Sequence, residues 1–159
     1  MQGEIDARTF WKAIGNRAIG AAVVTARGSA GPAGFLALSA THLAASPPTM
    51  LVSIGLTTSA LAAVRESGAF AINYLPRGRE DLAREFGGGG SLKGADRFKP
   101  GEWGTLATGA PTLLESVGVI DCQLEETIER HATVIALGRV VAWTGSALEP
   151  LVSFRGGYL

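Results

Sequence analysis

The sequence predicts a mainly β fold, namely a closed or split antiparallel β-barrel with short inserted helices. Five or six strand-like segments occur at hairpin spacing, and few segments have helical periodicity. Two helical segments lie between strands, which would also be compatible with a doubly wound α/β sheet. The C-terminal third lacks the alternation of strand and helix that such a sheet requires. The barrel is therefore the favoured architecture.

The N-terminal third predicts one helix followed by a β-hairpin. Asp6 is placed to cap the helix, and apolar residues follow it at helical spacing. A strand rich in β-branched residues is predicted at 21–26, and a second strand is predicted at 33–40. The segment 28–32 between them contains Gly and Pro and predicts a turn, so the two strands should pair. The helical apolar residues are Phe10, Trp11, Ile14 and Ala18.

The middle of the chain predicts strands alternating with short helices. Pro47 and Pro48 interrupt the chain, and the hydroxyl-bearing run 57–59 precedes a helix that Gly68 should end. The glycine run 87–90 resembles a linker, but its flanks are too small to be separate domains. A mobile loop within one domain is predicted there. The predicted elements, in order, are strand 50–54, helix 60–66, strand 70–75 and helix 79–86.

Two long strands are predicted in the C-terminal third. Apolar and polar residues alternate through most of 120–128, which indicates a half-buried strand. At 133–143 apolar residues occupy both faces of the predicted strand. In a small antiparallel domain, such a strand requires a second layer or a partner subunit on its outer side. The apolar residues are Val134, Ala136 and Val140 on one face and Ile135, Leu137, Val141 and Trp143 on the other.

Composition excludes several classes of protein. The chain has 159 residues, which fits a single domain spanning 1–159 that buries a core without a disulfide or metal. Its 14 basic and 14 acidic residues give a net charge of zero, which argues against a nucleic-acid binder. One cysteine, Cys122, cannot form an intramolecular disulfide. With no evident leader or long apolar stretch, we expect a cytoplasmic protein without membrane association.

Local motifs indicate ligand binding without defining a reaction. The run 57–59 could bind a phosphate at the start of the following helix, although a simple helix cap is the commoner role of such residues. The segment 38–42 could line a flat ligand or form an ordinary turn. His42 and His131 could contact a ligand or be solvated. No metal-ligand spacing occurs, and Cys122 lies on the apolar alternation of a strand, as a buried structural thiol would.

Eight short motifs occur in a fixed order over essentially the whole chain. Together they resemble the flavin reductase-like family, whose members fold as the FMN-binding split barrel, an antiparallel Greek-key β-barrel. The chain departs from the family pattern at 36–40, where it reads Leu-Ala-Leu-Ser-Ala instead of Thr-Ala-Asn-Ser-Phe, and at Leu56, where a basic residue is frequent. The matching motifs lie at 10–25, 32–48, 57–61, 70–73, 96–98, 109–111, 131 and 150–158.

The resemblance implies a homodimeric enzyme with its flavin site at the dimer interface. In the family, NADH or NADPH transfers hydride to N5 of FMN or FAD, and the reduced flavin supplies a partner such as a monooxygenase. The resemblance places His131 near the nicotinamide as the catalytic-site residue. The cofactor-binding residues that it implies are Leu36, Ala37, Leu38, Ser39, Ala40 and Thr41 at the ring edge, Ser53 and Ile54 beneath the ring, Thr57, Thr58 and Ser59 at the phosphate, and Arg97, Phe98 and Arg155 around the flavin.

Two alternatives stay open on the sequence alone. A family member could use FMN to reduce the cobalt of a corrin in cobalamin synthesis, with a corrinoid as the acceptor. A non-catalytic split barrel could instead bind flavin or haem, and a haem would need an axial ligand such as His42, His131, Cys122 or a methionine. The scarcity of charged catalytic residues fits a reaction that the flavin itself carries, with no obligatory protein nucleophile.

Overall fold

The chain folds into short helices and strands over residues 3–159, the part that the computed structural model describes. The helices are α1 (Ala7–Ile14), α2 (Ala60–Ser67) and α3 (Glu80–Phe86), and Gly94–Arg97 forms a 3-10 helix. The strands are β1 (Ile19–Gly20), β2 (Ala22–Gly28), β3 (Gly31–Ala37), β4 (Thr41–Ala45), β5 (Pro48–Gly55), β6 (Ala69–Tyr74), β7 (Trp103–Thr105), β8 (Pro111–Leu113), β9 (Gly118–Arg130), β10 (Thr133–Gly145), β11 (Val152–Phe154) and β12 (Gly157–Tyr158).

The main sheet is antiparallel and has the strand order β3-β2-β6-β9-β10-β5-β4 within the described residues. Because β6 pairs with β2 and β9, and β10 pairs with β5, the connections skip between neighbours as in a Greek key. The edge strands β3 and β4 follow one another in sequence but share no ladder. The sheet is therefore a barrel that is split between β3 and β4, which confirms the predicted fold class.

Alternating side chains of β2 belong to two cores, one on each face of the sheet. Val24 lies in the barrel interior with Ile54, Phe70 and other apolar side chains. Val23 lies in a second cluster, outside the barrel, that includes Leu82 of α3. Burial on both faces explains why β2 is almost continuously apolar, because neither face is left in contact with water.

A buried polar network fixes the 106–114 segment to the outside of the barrel. The Asn73 side chain donates to Thr25 Oγ1 at 3.1 Å and accepts from the Leu113 N–H at 2.8 Å. Asp121, which is wholly buried, accepts from the Ala107 N–H at 2.8 Å and the Thr108 N–H at 2.9 Å. These side chains replace the backbone partners that an irregular segment lacks.

Most predicted helix ends are confirmed. The Asp6 carboxylate accepts from the Thr9 N–H at 2.8 Å, so this residue caps α1 as predicted. Gly68 ends α2 in the left-handed conformation, with φ 65°, and α3 ends at Gly87. The first helix is shorter than predicted and excludes Ala18. After Gly15 the helical bonding pattern stops, and the Asn16 and Arg17 N–H groups bond three residues back, to the carbonyls of Ala13 and Ile14 at 3.3 and 3.0 Å.

One predicted strand needs correction, and the structure contains short strands that the sequence did not predict. The strand predicted at 33–40 ends at Ala37, because the chain leaves the ladder at the barrel split. The following residues 41–45 form β4, an edge strand with little burial and no clear alternation, so its pattern was not recognised. The short strands β7 and β8 were also missed, because three-residue strands carry almost no periodic signal.

The long strand β10 has a buried inner face and a partly open outer face. Val134 and Ala136 are fully buried, whereas Val141 is 44% and Trp143 is 74% exposed. The core therefore accounts for the apolar residues on the inner face of β10, and those on the outer face remain partly exposed to solvent. Among residues 3–159, no helix is long and apolar enough to cross a membrane.

Candidate functional site

A groove of about 910 Å³ opens at the barrel split, between α1 and the end of β5. This volume lies within the usual range of small-molecule sites, which is roughly 300–1,000 Å³. Apolar side chains supply most of its surface, and its described lining contains arginines but neither aspartate nor glutamate. The lining comprises Phe10, Trp11, Ile14, Gly15, Arg17, Ile19, Phe35, Leu36, Ala37, Leu38, Ser39, Ser53, Gly55, Thr58, Gly87, Thr133, Ser153, Phe154, Arg155 and Gly156.

A smaller cavity of about 460 Å³ adjoins the groove. The two share five lining residues, so ligands in both would lie next to one another. The smaller cavity also includes Thr41 and Tyr74. Burial raises the pKa of the Tyr74 phenol, with a smaller contribution from Cys122, so Tyr74 is a neutral group at physiological pH. The shared residues are Arg17, Ile19, Ala37, Leu38 and Ser39.

The segment 38–40 forms the rim between the two cavities. Because β3 ends at Ala37 and β4 begins at Thr41, the backbone N–H groups of this segment lie outside the strand ladder. Ser39 Oγ bridges the split through long contacts, accepting from the Ser53 N–H at 3.4 Å. The rim therefore combines backbone N–H groups that no strand pairing uses with the exposed Leu38 and the small side chains of Ser39 and Ala40.

Arg155 is held in the groove wall by a left-handed turn. Its backbone has φ 49°, which is unfavourable for a residue with a Cβ, and Gly156 follows with φ 80°. The Arg155 N–H donates to the Gly15 carbonyl at 2.9 Å, and Arg155 Nε donates to Asn16 Oδ1 at 3.2 Å. The guanidinium carbon lies 4.9 Å from the Phe154 ring centroid. These contacts place one positive charge at the groove.

Arg17 also lines the groove, although the sequence did not single it out as a ligand residue. Arg17 Nη2 contacts the Leu38 carbonyl at 3.4 Å, a long hydrogen bond. The sequence offered no signal for this role, because an arginine after an amphipathic helix usually faces solvent. Its position depends on the pairing of β1 with β11, which brings the N-terminal segment against the C-terminal strands.

His131 lies at the tip of the hairpin formed by β9 and β10, beside the groove. His131 and Ala132 have φ 49° and 56°, the backbone of a two-residue type I′ turn, which usually contains Asn or Gly. Arg130 Nε donates to His131 Nε2 at 3.2 Å. Thr133, two residues further on, lines the groove, whereas His131 itself does not. The imidazole therefore lies outside the groove lining and is exposed to solvent.

The structure separates several other candidates from the groove. Thr58 lines it, but Thr57 and Ser59 are exposed outside it, and Ser59 makes no side-chain cap for α2. The helix instead begins with a backbone bond from the Leu61 N–H to the Thr58 carbonyl at 3.0 Å. The Ile54 side chain is wholly buried in the barrel core, so only its backbone could face a ligand.

Arg97 and Phe98 lie in an aromatic cluster outside both cavity linings. The Phe98 ring centroid is 5.2 Å from that of Phe86 and 4.8 Å from that of Trp103. The Arg97 guanidinium lies 5.9 Å from the Phe86 centroid. Leu36, which lines the groove, packs against the same cluster, so these residues support the groove wall indirectly.

The cysteine and the other potentially reactive side chains of residues 3–159 do not form a second catalytic or metal site. Burial raises the pKa of the Cys122 thiol to about 12, with Asp121 adding to the effect, so the thiolate required of a nucleophile is not populated near neutral pH. This agrees with the predicted structural role of Cys122. Within residues 3–159, no three His, Cys, Asp or Glu residues cluster in a way that could hold a metal ion.

The groove fits a flat, mainly apolar ligand that carries negative charge. Small residues keep the rim and floor open, and an added Cβ at Gly55 would lie 3.3 Å from Thr58 Oγ1. Backbone donors at the rim suit the edge of a heteroaromatic ring, and the arginines suit a phosphate. An isoalloxazine with a phosphorylated side chain has this combination of properties.

The fold and the groove together define a class of protein, a split barrel whose groove suits a flat anionic ligand. Residues 15–159 match the family model described as the flavin reductase like domain, and the chain belongs to that family. This confirms the resemblance found in the motifs.

Relatives of known name share most of the chain. The FMN reductase (NADH) RutF of Ancylobacter novellus is 38% identical over 143 residues, which are 88% of this chain and 78% of the relative. The NADH:FAD oxidoreductase SgcE6 of Streptomyces globisporus superposes with a TM-score of 0.88 at 27% identity, covering 100% of this chain and 97% of that one. SgcE6 has also been solved with NAD and FAD fragments. Nitrilotriacetate monooxygenase component B of Mycobacterium thermoresistibile gives a TM-score of 0.86 at 25% identity, and the match covers 98% of this chain and 86% of that one.

Proposed function

We propose that this chain is an NADH-dependent flavin reductase that binds FMN, with FAD as the alternative flavin. The observation that carries the proposal is the groove at the barrel split, which combines a donor-rich rim, an apolar lining and arginine without acidic residues. Family membership supports it, and so do the names of relatives that reduce FMN or FAD with NADH. NADPH is retained as a second hydride donor to be tested.

The chain binds and orients its ligands, and the flavin supplies the redox chemistry. A bound flavin would supply the redox chemistry, with the nicotinamide as hydride donor and a further molecule as electron acceptor. We assign the ring edge to the backbone of the rim segment 38–40 with Leu36 and Ala37 beside it, and the underside to Ser53 and the backbone of Ile54. Thr58 and Arg155, which line the groove, are assigned to the phosphate-bearing side chain.

These residues act by position and charge. The apolar walls would pack against the flat faces of the bound rings and hold them in the groove. The rim N–H groups are fixed by the strand ends on either side, so they can donate to a ring edge without reorganising. Holding two flat rings in contact is the main contribution that such a site can make.

Anaerobic addition of NADH to protein with FMN tests the proposal. The flavin absorbance should bleach with multiple turnovers when an acceptor is present, and FAD, riboflavin and NADPH are compared under the same conditions. An acceptor panel should include oxygen and a corrinoid, because sole reduction of the corrinoid would identify the corrin reductase instead. A Soret band in the purified protein, or bound flavin that NADH does not bleach, would identify a non-catalytic binding protein.

His131→Asn is expected to raise the KM for NADH about three- to tenfold, because the exposed imidazole at the tip of the β9–β10 hairpin is assigned to the nicotinamide. Asparagine tolerates the left-handed backbone at position 131, so the hairpin turn should be retained. Steady-state kinetics at saturating FMN measure the change. His42→Asn, in the edge strand β4, is the matched control and should leave the KM unchanged. Unaltered NADH kinetics in His131→Asn would refute the assignment.

We also propose that residues 1–159 act as one domain and that the functional unit is a homodimer with the flavin site at its interface. The exposed apolar residues support this, since Trp11 beside the groove and Trp143 on β10 are 65% and 74% exposed. Light scattering coupled to size-exclusion chromatography measures the mass of the protein in solution.

A two-component monooxygenase is the proposed recipient of electrons, in line with the monooxygenase component among the relatives. The single buried cysteine fits the cytoplasm as the compartment.

A further inference from the structure

We infer that Arg17 and the smaller cavity form an anion subsite for a phosphate of the nicotinamide dinucleotide, separate from the site of the flavin phosphate. This inference rests on the proposed function. It concerns a residue to which the family motifs gave no ligand role and which the assigned flavin contacts do not include.

The first observation is the charge of the smaller cavity. Arg17 contributes a guanidinium to the lining, and the described lining contains no aspartate or glutamate. The chain as a whole has equal numbers of acidic and basic residues, so an acid-free cavity with an arginine departs from its average surface. A cavity of this charge favours an anionic ligand.

The second observation is the state of the Arg17 side chain. It is exposed, and within residues 3–159 it has no carboxylate within salt-bridge distance. Its contact with the Leu38 carbonyl, at 3.4 Å, uses one of five donors and is long. Arg155, in contrast, is held by Asn16 and by stacking on Phe154. Arg17 therefore retains donors for a ligand.

The third observation is the chemistry of the remaining lining. Ser39 and Thr41 contribute hydroxyls, and Tyr74 contributes a phenol that burial keeps protonated. Neutral hydroxyl donors beside a guanidinium are a common set of partners for phosphate oxygens. The rest of the lining is small or apolar and adds no competing charge.

The order of residues along the groove assigns this anion to the second substrate. Thr58, at the proposed flavin-phosphate end, follows Gly55 and Ser53, and Ser53 contacts Ser39 at the rim. Arg17 lies at the rim, where it contacts the Leu38 carbonyl and lines both the groove and the smaller cavity. A flavin with its phosphate near Thr58 and its ring at the rim leaves Arg17 beyond the ring. The phosphate nearest Arg17 then belongs to the dinucleotide.

The test removes the charge and measures binding as well as turnover. Arg17→Gln is expected to weaken NAD⁺ binding about tenfold and to raise the KM for NADH by a similar factor, because a charge-assisted hydrogen bond is lost. The FMN dissociation constant should stay within about twofold of the wild-type value. Arg17→Lys should restore part of the loss. Arg27→Gln, an exposed arginine of β2 outside both cavities, is the matched control and should behave as wild type.

Titration calorimetry with matched ligand pairs identifies the source of the phosphate. Wild type should prefer nicotinamide mononucleotide or NAD⁺ to nicotinamide riboside, and Arg17→Gln should lose this preference while keeping the preference for FMN over riboflavin. Loss of the FMN preference instead, or an unchanged preference for NAD⁺, overturns the inference. Failure of wild type to reduce flavin would refute the proposed function separately, because the titrations do not depend on turnover.

Discussion

Gly138→Ala is expected to lower the free energy of unfolding by about 3 kcal/mol, because the added methyl group has no room in the barrel core. A Cβ at Gly138 would lie 2.6 Å from Phe70 Cζ and 2.7 Å from Cys122 Cβ. Both neighbours are fully buried on adjoining strands, and the ladder of β9 and β10 shifts register between Leu137 and Gly138. Glycine at this bulge lets the Phe70 ring pack against bare backbone. Urea denaturation measures the change.

A double-mutant cycle separates this clash from a general effect of removing glycine. Phe70→Leu alone opens space and is itself destabilising, but combined with Gly138→Ala it should cost less than the sum of the two single changes. Gly20→Ala is the control, because no atom lies within 4 Å of its added Cβ, and it should change stability by no more than about 0.5 kcal/mol. Additive costs in the cycle would contradict the packing argument.

Local patterns predicted strands well where one face of the strand is buried and the other is exposed to solvent. The alternation at 120–128 identified the centre of β9, and the glycines after α2 and α3 identified where those helices end. Sheet order is a different matter, because the pairing of β6 with β2 and of β10 with β5 depends on contacts between distant segments. No local pattern encodes those pairings: the number and spacing of strands favoured a barrel, and the family motifs identified it as the FMN-binding split barrel.

The candidate site was predicted in part for the same reason. The rim segment 38–40 was found because its motif is continuous in sequence, whereas Arg17 was missed because its place in the groove depends on the pairing of β1 with β11. Arg97 and Phe98 were assigned to the flavin by motif alone, and packing with Phe86 and Trp103 takes them out of both cavity linings. Motif matching transfers residue identity, but side-chain direction follows from the packing of each chain.

Ser39→Trp is expected to weaken flavin binding at least 100-fold, equivalent to about 2.7 kcal/mol, and to remove reductase activity. Ser39 lines both cavities at the rim where the flavin edge is proposed to bind, so an indole there would occupy the space of the ring. Its contacts with Ser53 are long, at 3.4 and 3.5 Å, and the residue is exposed. The fold should therefore survive, with a melting temperature close to that of wild type. Flavin fluorescence titration measures the dissociation constant.

Two matched variants decide whether blockage of the groove is the cause. Ser29→Trp makes the same change in the exposed turn between β2 and β3, at the opposite end of that hairpin from the groove, and should bind flavin normally. Ser39→Ala removes the hydroxyl without filling the groove, so it should retain binding within about tenfold. Normal flavin affinity in Ser39→Trp would exclude the groove as the flavin site. Equal loss in Ser39→Ala and Ser39→Trp would instead assign the effect to the hydroxyl bridge across the barrel split, because only the tryptophan fills the space that a flavin ring needs.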